Sequence, residues 1–187
     1  MRFKKIQIKT KVRQPVTALD VHPSGAYLAV GQMHLYRWAL PELRQDTIIN
    51  PKSNRRVIMA RYAPNGKALT YCDTAQTLYQ YDIDSGKNRR LAIKNPNLAW
   101  ISYATQANRL ALAGNHIQVW DGDRDEIIWT LDATLDQQPD SPVAVVALSP
   151  DGQQAAVGGA TAGKITIYDV EKNQVIRELE GAPDTVR

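Results

Sequence analysis

His22, His34 and His116 are the three histidines of the sequence, and any acid–base or metal chemistry would have to begin with them. His22 opens a proline-containing turn, whereas His34 and His116 each begin a short apolar run after a tight connection. Their spacing is not that of metal ligands, and neither a nucleophile elbow nor a glycine-rich phosphate loop accompanies them. His34 and His116 hold similar places in two separate segments, so both could face one opening; histidines satisfied within their own turns account for the pattern more simply. Cys72, the single cysteine, can form no internal disulfide and reads as a small buried side chain in a strand. These residues predict a protein that is not an enzyme, with no catalytic, cofactor or metal site.

What remains is charge. Met1 to Lys94 carries 17 Lys/Arg against 6 Asp/Glu, a net of +11, and Asn95 to Arg187 carries 6 against 13, a net of −7. The chain is therefore dipolar, which can steer partners or align copies of itself. Its first residues, MRFKKIQIKTKVR, lack the apolar core of a secretion signal, and no window has the apolar length to cross a bilayer. A soluble cytoplasmic protein without membrane contact is the expectation.

The elements that must position these charges are short. Runs of apolar and alternating residues hinged by Gly, Pro, Asn and Asp read as antiparallel meanders. The clearest spans Val143 to Val170, where VAVVAL, QQAAVG and ITIYDV are hinged by Ser149-Pro150-Asp151-Gly152 and a Gly/Ala/Thr-rich turn. Upstream copies read VTALDV, AYLAVG, HLYRW; then VIMARYA, KALTYC, TLYQYDI; then LAWISYA, RLALAG, IQVWDG. In the third copy Thr105-Gln106-Ala107-Asn108 replaces the turn with Pro and Gly. Five outer strands are expected: Phe3 to Lys9, around Thr47 to Asn50, Arg90 to Ile93, Ile127 to Leu131 and Val175 to Glu180.

Aligning the copies on their closing aromatics makes Trp38, Tyr81, Trp120 and Tyr168 equivalent, at intervals of 43, 39 and 48 residues. A period of about 40 to 45 belongs to a four-stranded propeller blade. On the turns His22-Pro23-Ser24-Gly25, Ala63-Pro64-Asn65-Gly66 and Ser149-Pro150-Asp151-Gly152, and the pairs Tyr81-Asp82, Trp120-Asp121 and Tyr168-Asp169, the chain resembles the WD-repeat family of β-propellers. The resemblance implies an all-β fold, a β-propeller of four antiparallel four-stranded blades belonging to a larger propeller. It places blades at about 10–50, 51–94, 95–132 and 133–181 of a single 1–187 domain, with 1–9 as an extra outer strand. The family's Gly-His pair is absent and Ala39 follows Trp38, so its network between His, Ser or Thr, Asp and Trp does not carry over.

The resemblance also implies a non-catalytic scaffold that binds a protein or peptide through loops where outer strands hand over to first strands. Those loops hold Lys11, Arg13, Lys52, Arg55, Arg56 and Lys94 early in the chain, and Asp132, Asp136 and Asp140 late in it. Arg13, Lys52, Arg55, Arg56 and Lys94 are the expected partner-binding residues, receiving an acidic segment. A nucleic acid or other polyanion is the alternative, with Tyr62, Tyr71, Tyr79 and Tyr81 as stacking platforms. Tyrosines placed within strands, and an acidic second half, argue against it. A sensor or regulatory propeller within a larger enzyme is a further alternative.

Five outer strands for four blades leave Phe3 to Lys9 without a blade to complete. Asp184-Thr185-Val186-Arg187 also resembles the start of another first strand. Three arrangements account for this, in order of preference: the first part of a longer propeller, two chains closing an eight-bladed ring, or a four-bladed ring with one strand redundant.

Overall fold

The computed structural model describes residues 15–42, 44–50, 54–132, 145–158 and 164–180. They form sixteen strands in four sheets, each a four-stranded antiparallel meander in chain order, with no helix among the described residues. Blade 1 is β1 (Ala18–Val21), β2 (Tyr27–Gly31), β3 (Leu35–Ala39) and β4 (Arg44–Ile48). Blade 2 is β5 (Val57–Tyr62), β6 (Ala68–Asp73), β7 (Leu78–Asp82) and β8 (Asn88–Arg90). Blade 3 is β9 (Trp100–Tyr103), β10 (Arg109–Ala113), β11 (His116–Asp121) and β12 (Glu126–Asp132). Blade 4 is β13 (Val145–Leu148), β14 (Gln154–Gly158), β15 (Lys164–Asp169) and β16 (Gln174–Glu180).

The turns between first and second strands follow from their residues. Gly25, Gly66 and Gly152 adopt φ of +73°, +71° and +71°, which an L side chain enters only with strain. Each donates its N–H back three residues, to the carbonyls of His22, Ala63 and Ser149 at 2.7, 2.9 and 2.8 Å. The four closing aromatics occupy one register position. Trp38, Tyr81, Trp120 and Tyr168 stand opposite Leu28, Leu69, Leu110 and Ala155 on their second strands. The aspartate after three of them caps the next turn: Asp82 accepts from Ser85 N–H, Asp121 from Asp123 and Arg124 N–H, Asp169 from Glu171 and Lys172 N–H.

Two expected outer strands lie elsewhere. Blade 1 closes with Arg44–Ile48 rather than Thr47 to Asn50, and blade 2 with Asn88–Arg90 rather than Arg90 to Ile93. The outermost strand is wet on both faces, so RQDTI and NRR carry little apolar signal. The apolar residues that suggest a strand, Ile49 and Leu91, are instead buried where the chain turns back toward the next blade. Phe3 to Lys9 lies outside the described residues. Blade 4 owns its outer strand, β16.

The core is divided among the blade interfaces. One cluster joins Leu35 and Ala18 of blade 1 to Val57 and Ala60 of blade 2. A second joins Cys72 and Leu78 of blade 2 to Ile101 and Trp120 of blade 3, and a third joins Ile117 and Trp129 of blade 3 to Val146 and Val157 of blade 4. First strands lie side by side in the order β1, β5, β9, β13. Among the described residues no comparable packing joins β13 to β1.

Candidate functional site

A meander places the start of its first strand and the end of its fourth at one end of the sheet, with the turns after the first and third strands at the other. The handover loops of successive blades therefore share one end of the row of sheets. Arg55 and Arg56 lie just before β5, and Lys94 lies between β8 and β9; all three are exposed. Because β5 and β9 are neighbours, the structure brings these three to the same end of adjacent strands. Arg55 stands 3.8 Å from the buried carboxylate of Asp73, so part of its charge is matched inside the blade. Asp73 also accepts from Ala75 and Thr77 N–H, tightening the turn beneath Arg55. Arg13 and Lys52, with Lys11, Asp136 and Asp140, lie outside the described residues. Asp132 closes β12 on this same face, 3.7 Å from His116 Nδ1.

A device that the motif reading missed holds this face together. Asn50 and Asn95 are buried after their outer strands, and each reaches the connection between the second and third strands. Asn50 accepts from Leu35 N–H through Oδ1 and its carbonyl lies 3.2 Å from His34 Nδ1. Asn95 brackets His116, accepting from its N–H at 3.2 Å and donating to its carbonyl at 2.8 Å. The recurrence of Asn-Pro at Asn50-Pro51 and Asn95-Pro96 was the available signal. His34 and His116 are thus equivalent, as their positions suggest, and each is engaged within its own blade.

On the opposite face the blades grip one another. His22 Nδ1 accepts from Ser24 N–H at 3.1 Å, which leaves Nε2–H to donate to the Gly66 carbonyl of the next blade at 2.9 Å. Its ring packs edge-on against Tyr27 and Tyr62. Arg109 makes the corresponding link from blade 3 to blade 4, donating to the Gly152 carbonyl at 3.1 Å while pairing with Asp121 at 3.2 Å and Glu171 at 3.0 Å. Between blades 2 and 3 the turns part, leaving a depression of about 340 Å³ between Pro64, Asn65 and residues 105–108.

The titrating groups are structural. Burial alone would raise the Asp121 carboxyl, but the N–H groups of Arg124 and Asp123 and the Arg109 guanidinium outweigh it and hold it below the usual carboxylate range. Asp82 is lowered chiefly by the Ser85 hydroxyl, and Asp169 chiefly by Lys172 N–H. Burial pushes the Cys72 thiol up to about 12, which makes it inert as a nucleophile. Tyr62, Tyr71 and Tyr81 are buried, and the half-buried Tyr79 stacks on Tyr71 with centroids 5.1 Å apart, so these rings fill sheet contacts. Among the described residues no three His, Cys, Asp or Glu gather as metal ligands, and no helix is long and apolar enough to cross a membrane.

No protein-family model matches the chain, and no curated protein matches it in sequence.

Proposed function

We propose that the chain is a WD-repeat-like, non-catalytic binding scaffold of the cytoplasm whose handover face receives an acidic segment of a partner protein. The observation that carries this reading is the exposure of Arg56, Lys94 and Arg55 at the same end of adjacent first strands, in a half of the chain whose net charge is +11. Beside them, Asn50 and Asn95 bond the connections at His34–Leu35 and His116. Exposed cationic side chains at neighbouring strand ends suit recognition of carboxylates by complementarity of charge. The packing of Tyr62, Tyr71 and Tyr81 between sheets favours this reading over stacking of those rings on nucleic-acid bases.

The test is fluorescence anisotropy of a labelled Glu/Asp-rich peptide with the wild-type chain and with an Arg55→Glu, Arg56→Glu, Lys94→Glu variant. Affinity should fall roughly tenfold or more and depend steeply on salt. Lys67→Glu with Lys87→Glu, on the opposite face, should leave it unchanged. Equal binding by both variants removes the handover face from recognition.

A further inference from the structure

The turns of blades 3 and 4 are bridged by one arginine, and between blades 2 and 3 the same acceptors stand without it. Strand register makes Ala68, Arg109 and Gln154 equivalent, standing opposite Asp82, Asp121 and Asp169. The turn bonds from Ala104 N–H to Arg109 and from Ser149 N–H to Gln154 make Ala107 the counterpart of Gly152. Those from Gly122 N–H to Asn108 and from Val170 N–H to Gln153 make Asp123 the counterpart of Glu171. At the later junction the Arg109 guanidinium donates to Asp121 of its own blade at 3.2 Å, and to the Gly152 carbonyl at 3.1 Å and Glu171 at 3.0 Å of the next. At the earlier junction the corresponding acceptors are Asp82, the Ala107 carbonyl and Asp123, and the residue in place of Arg109 is Ala68. His22, which bridges blades 1 and 2, has Ala63 as its counterpart in blade 2. Either kind of bridge would therefore begin, on blade 2, from a methyl group.

The missing side chain leaves room. Gln106 N–H donates to the Pro150 carbonyl at 2.8 Å, which ties the blade 3 turn to blade 4 rather than to blade 2. The depression of about 340 Å³ lies between Pro64 and Asn65 on one side and residues 105–108 with Asp123 on the other. That volume is at the small end of ligand pockets, about 300 to 1,000 Å³. Asp123 Oδ1 accepts from Asn108 Nδ2 at 3.0 Å, which holds the carboxylate at the rim and leaves Oδ2 with no donor among the described residues. Asp82 likewise has Oδ1 engaged by Ser85 and Oδ2 open on the turn side of blade 2. Among the described residues neither carboxylate forms an ion pair, and Lys67 is only a minor influence on Asp82.

We propose that this depression binds the guanidinium of an arginine side chain presented by a partner protein, in the place that Arg109 fills one junction later. The guanidinium is a planar fork of donors with no acceptor, and it is more weakly hydrated than an ammonium, so it suits a site of carboxylate and carbonyl oxygens. Pro64 and the Ala107 methyl offer contact to the aliphatic stem. An anion would meet Asp123 and no cationic side chain in the lining. The site lies between two complete inner blades, on the face opposite Arg55, Arg56 and Lys94. It stands or falls apart from the recognition of an acidic segment.

The test is a titration of the isotope-labelled chain with the blocked pentapeptide Gly-Gly-Arg-Gly-Gly, followed in amide N–H correlation spectra, beside the same peptide carrying citrulline or lysine in place of arginine. Saturable shifts are expected at Asn65, residues 105–108 and Asp123, with a dissociation constant on the order of 1 mM. Citrulline, of the same shape without the charge, should give none, and lysine should bind at least about threefold more weakly. Asp123→Asn should weaken the arginine peptide roughly tenfold with the rest of the spectrum unchanged. Asp84→Asn, the exposed counterpart in blade 2, where His22 already holds the Gly66 carbonyl, should leave binding as it was. No shifts at these residues with peptide at about twenty times that constant overturns the proposal. So do shifts that citrulline or lysine reproduces in full, binding that Asp123→Asn leaves intact, or equal losses from Asp123→Asn and Asp84→Asn.

Discussion

Replacing Arg109 by Met tests the grip between blades 3 and 4 at its densest point. The aliphatic stem that covers Gly152 is retained, and the guanidinium is lost together with its bonds to Asp121, the Gly152 carbonyl and Glu171. The Glu171 pair is largely exposed and is worth about 0.5 kcal/mol. A charged donor to a carbonyl contributes about 1.5 kcal/mol. Asp121 is buried, and stripping a partner from a buried carboxylate costs about 3 to 5 kcal/mol when nothing else remains. It keeps the N–H groups of Asp123 and Arg124, so about 1 to 2 kcal/mol is the fitting share. The total is about 3 to 4 kcal/mol, or about 6 to 16 °C in Tm at 2 to 4 °C per kcal/mol for a chain of this size. Urea unfolding at neutral pH and again near pH 3 checks both size and cause. Asp121 titrates below its unfolded value, so the stabilisation from Arg109 is full above that value and shrinks as pH falls through the lowered one. A loss under about 0.5 kcal/mol, or one that does not change with pH, would refute the reasoning.

Three further outcomes follow from the same contacts. Asp82, Asp121 and Asp169 all titrate below the ordinary carboxylate value, so stability should hold from neutral pH to about 5 and decline below about 4; Asp82→Asn with Asp169→Asn should flatten that decline in a pH series of urea midpoints. Cys72, fully buried with its thiol pushed up to about 12, should react with a disulfide reagent at neutral pH only after denaturant is added. Trp129→Phe removes the indole donor to Asn173 and should lower stability by about 1 kcal/mol, read from the denaturant midpoint.

The blades were legible because period and punctuation agree. Pro-x-Gly turns in three units and closing aromatics in all four give one division of the chain, and the structure sets Trp38, Tyr81, Trp120 and Tyr168 in one register. The outer strands of blades 1 and 2 were misplaced because hydrophobic pattern reports burial, and Arg44–Ile48 and Asn88–Arg90 are wet on both faces. At the handover face the sequence offers charge without neighbours. It puts Arg55 and Arg56 in a loop, but the ion pair with Asp73 joins residues eighteen apart through a sheet register that no short motif encodes. The inter-blade bonds of His22 and Arg109 were hidden for a similar reason: each looks like a turn or strand-end residue until the next blade supplies a carbonyl.

The central claim is that successive blades meet through one repeated placement, and nuclear Overhauser contacts measure it directly. Contacts from the His22 ring to Gly66 Hα, from the Arg109 side chain to Gly152 Hα, and from the Trp129 indole N–H to the Asn173 side chain are expected together. Well-formed hairpins with none of these three cross-peaks would mean that the blades fold without packing in this order.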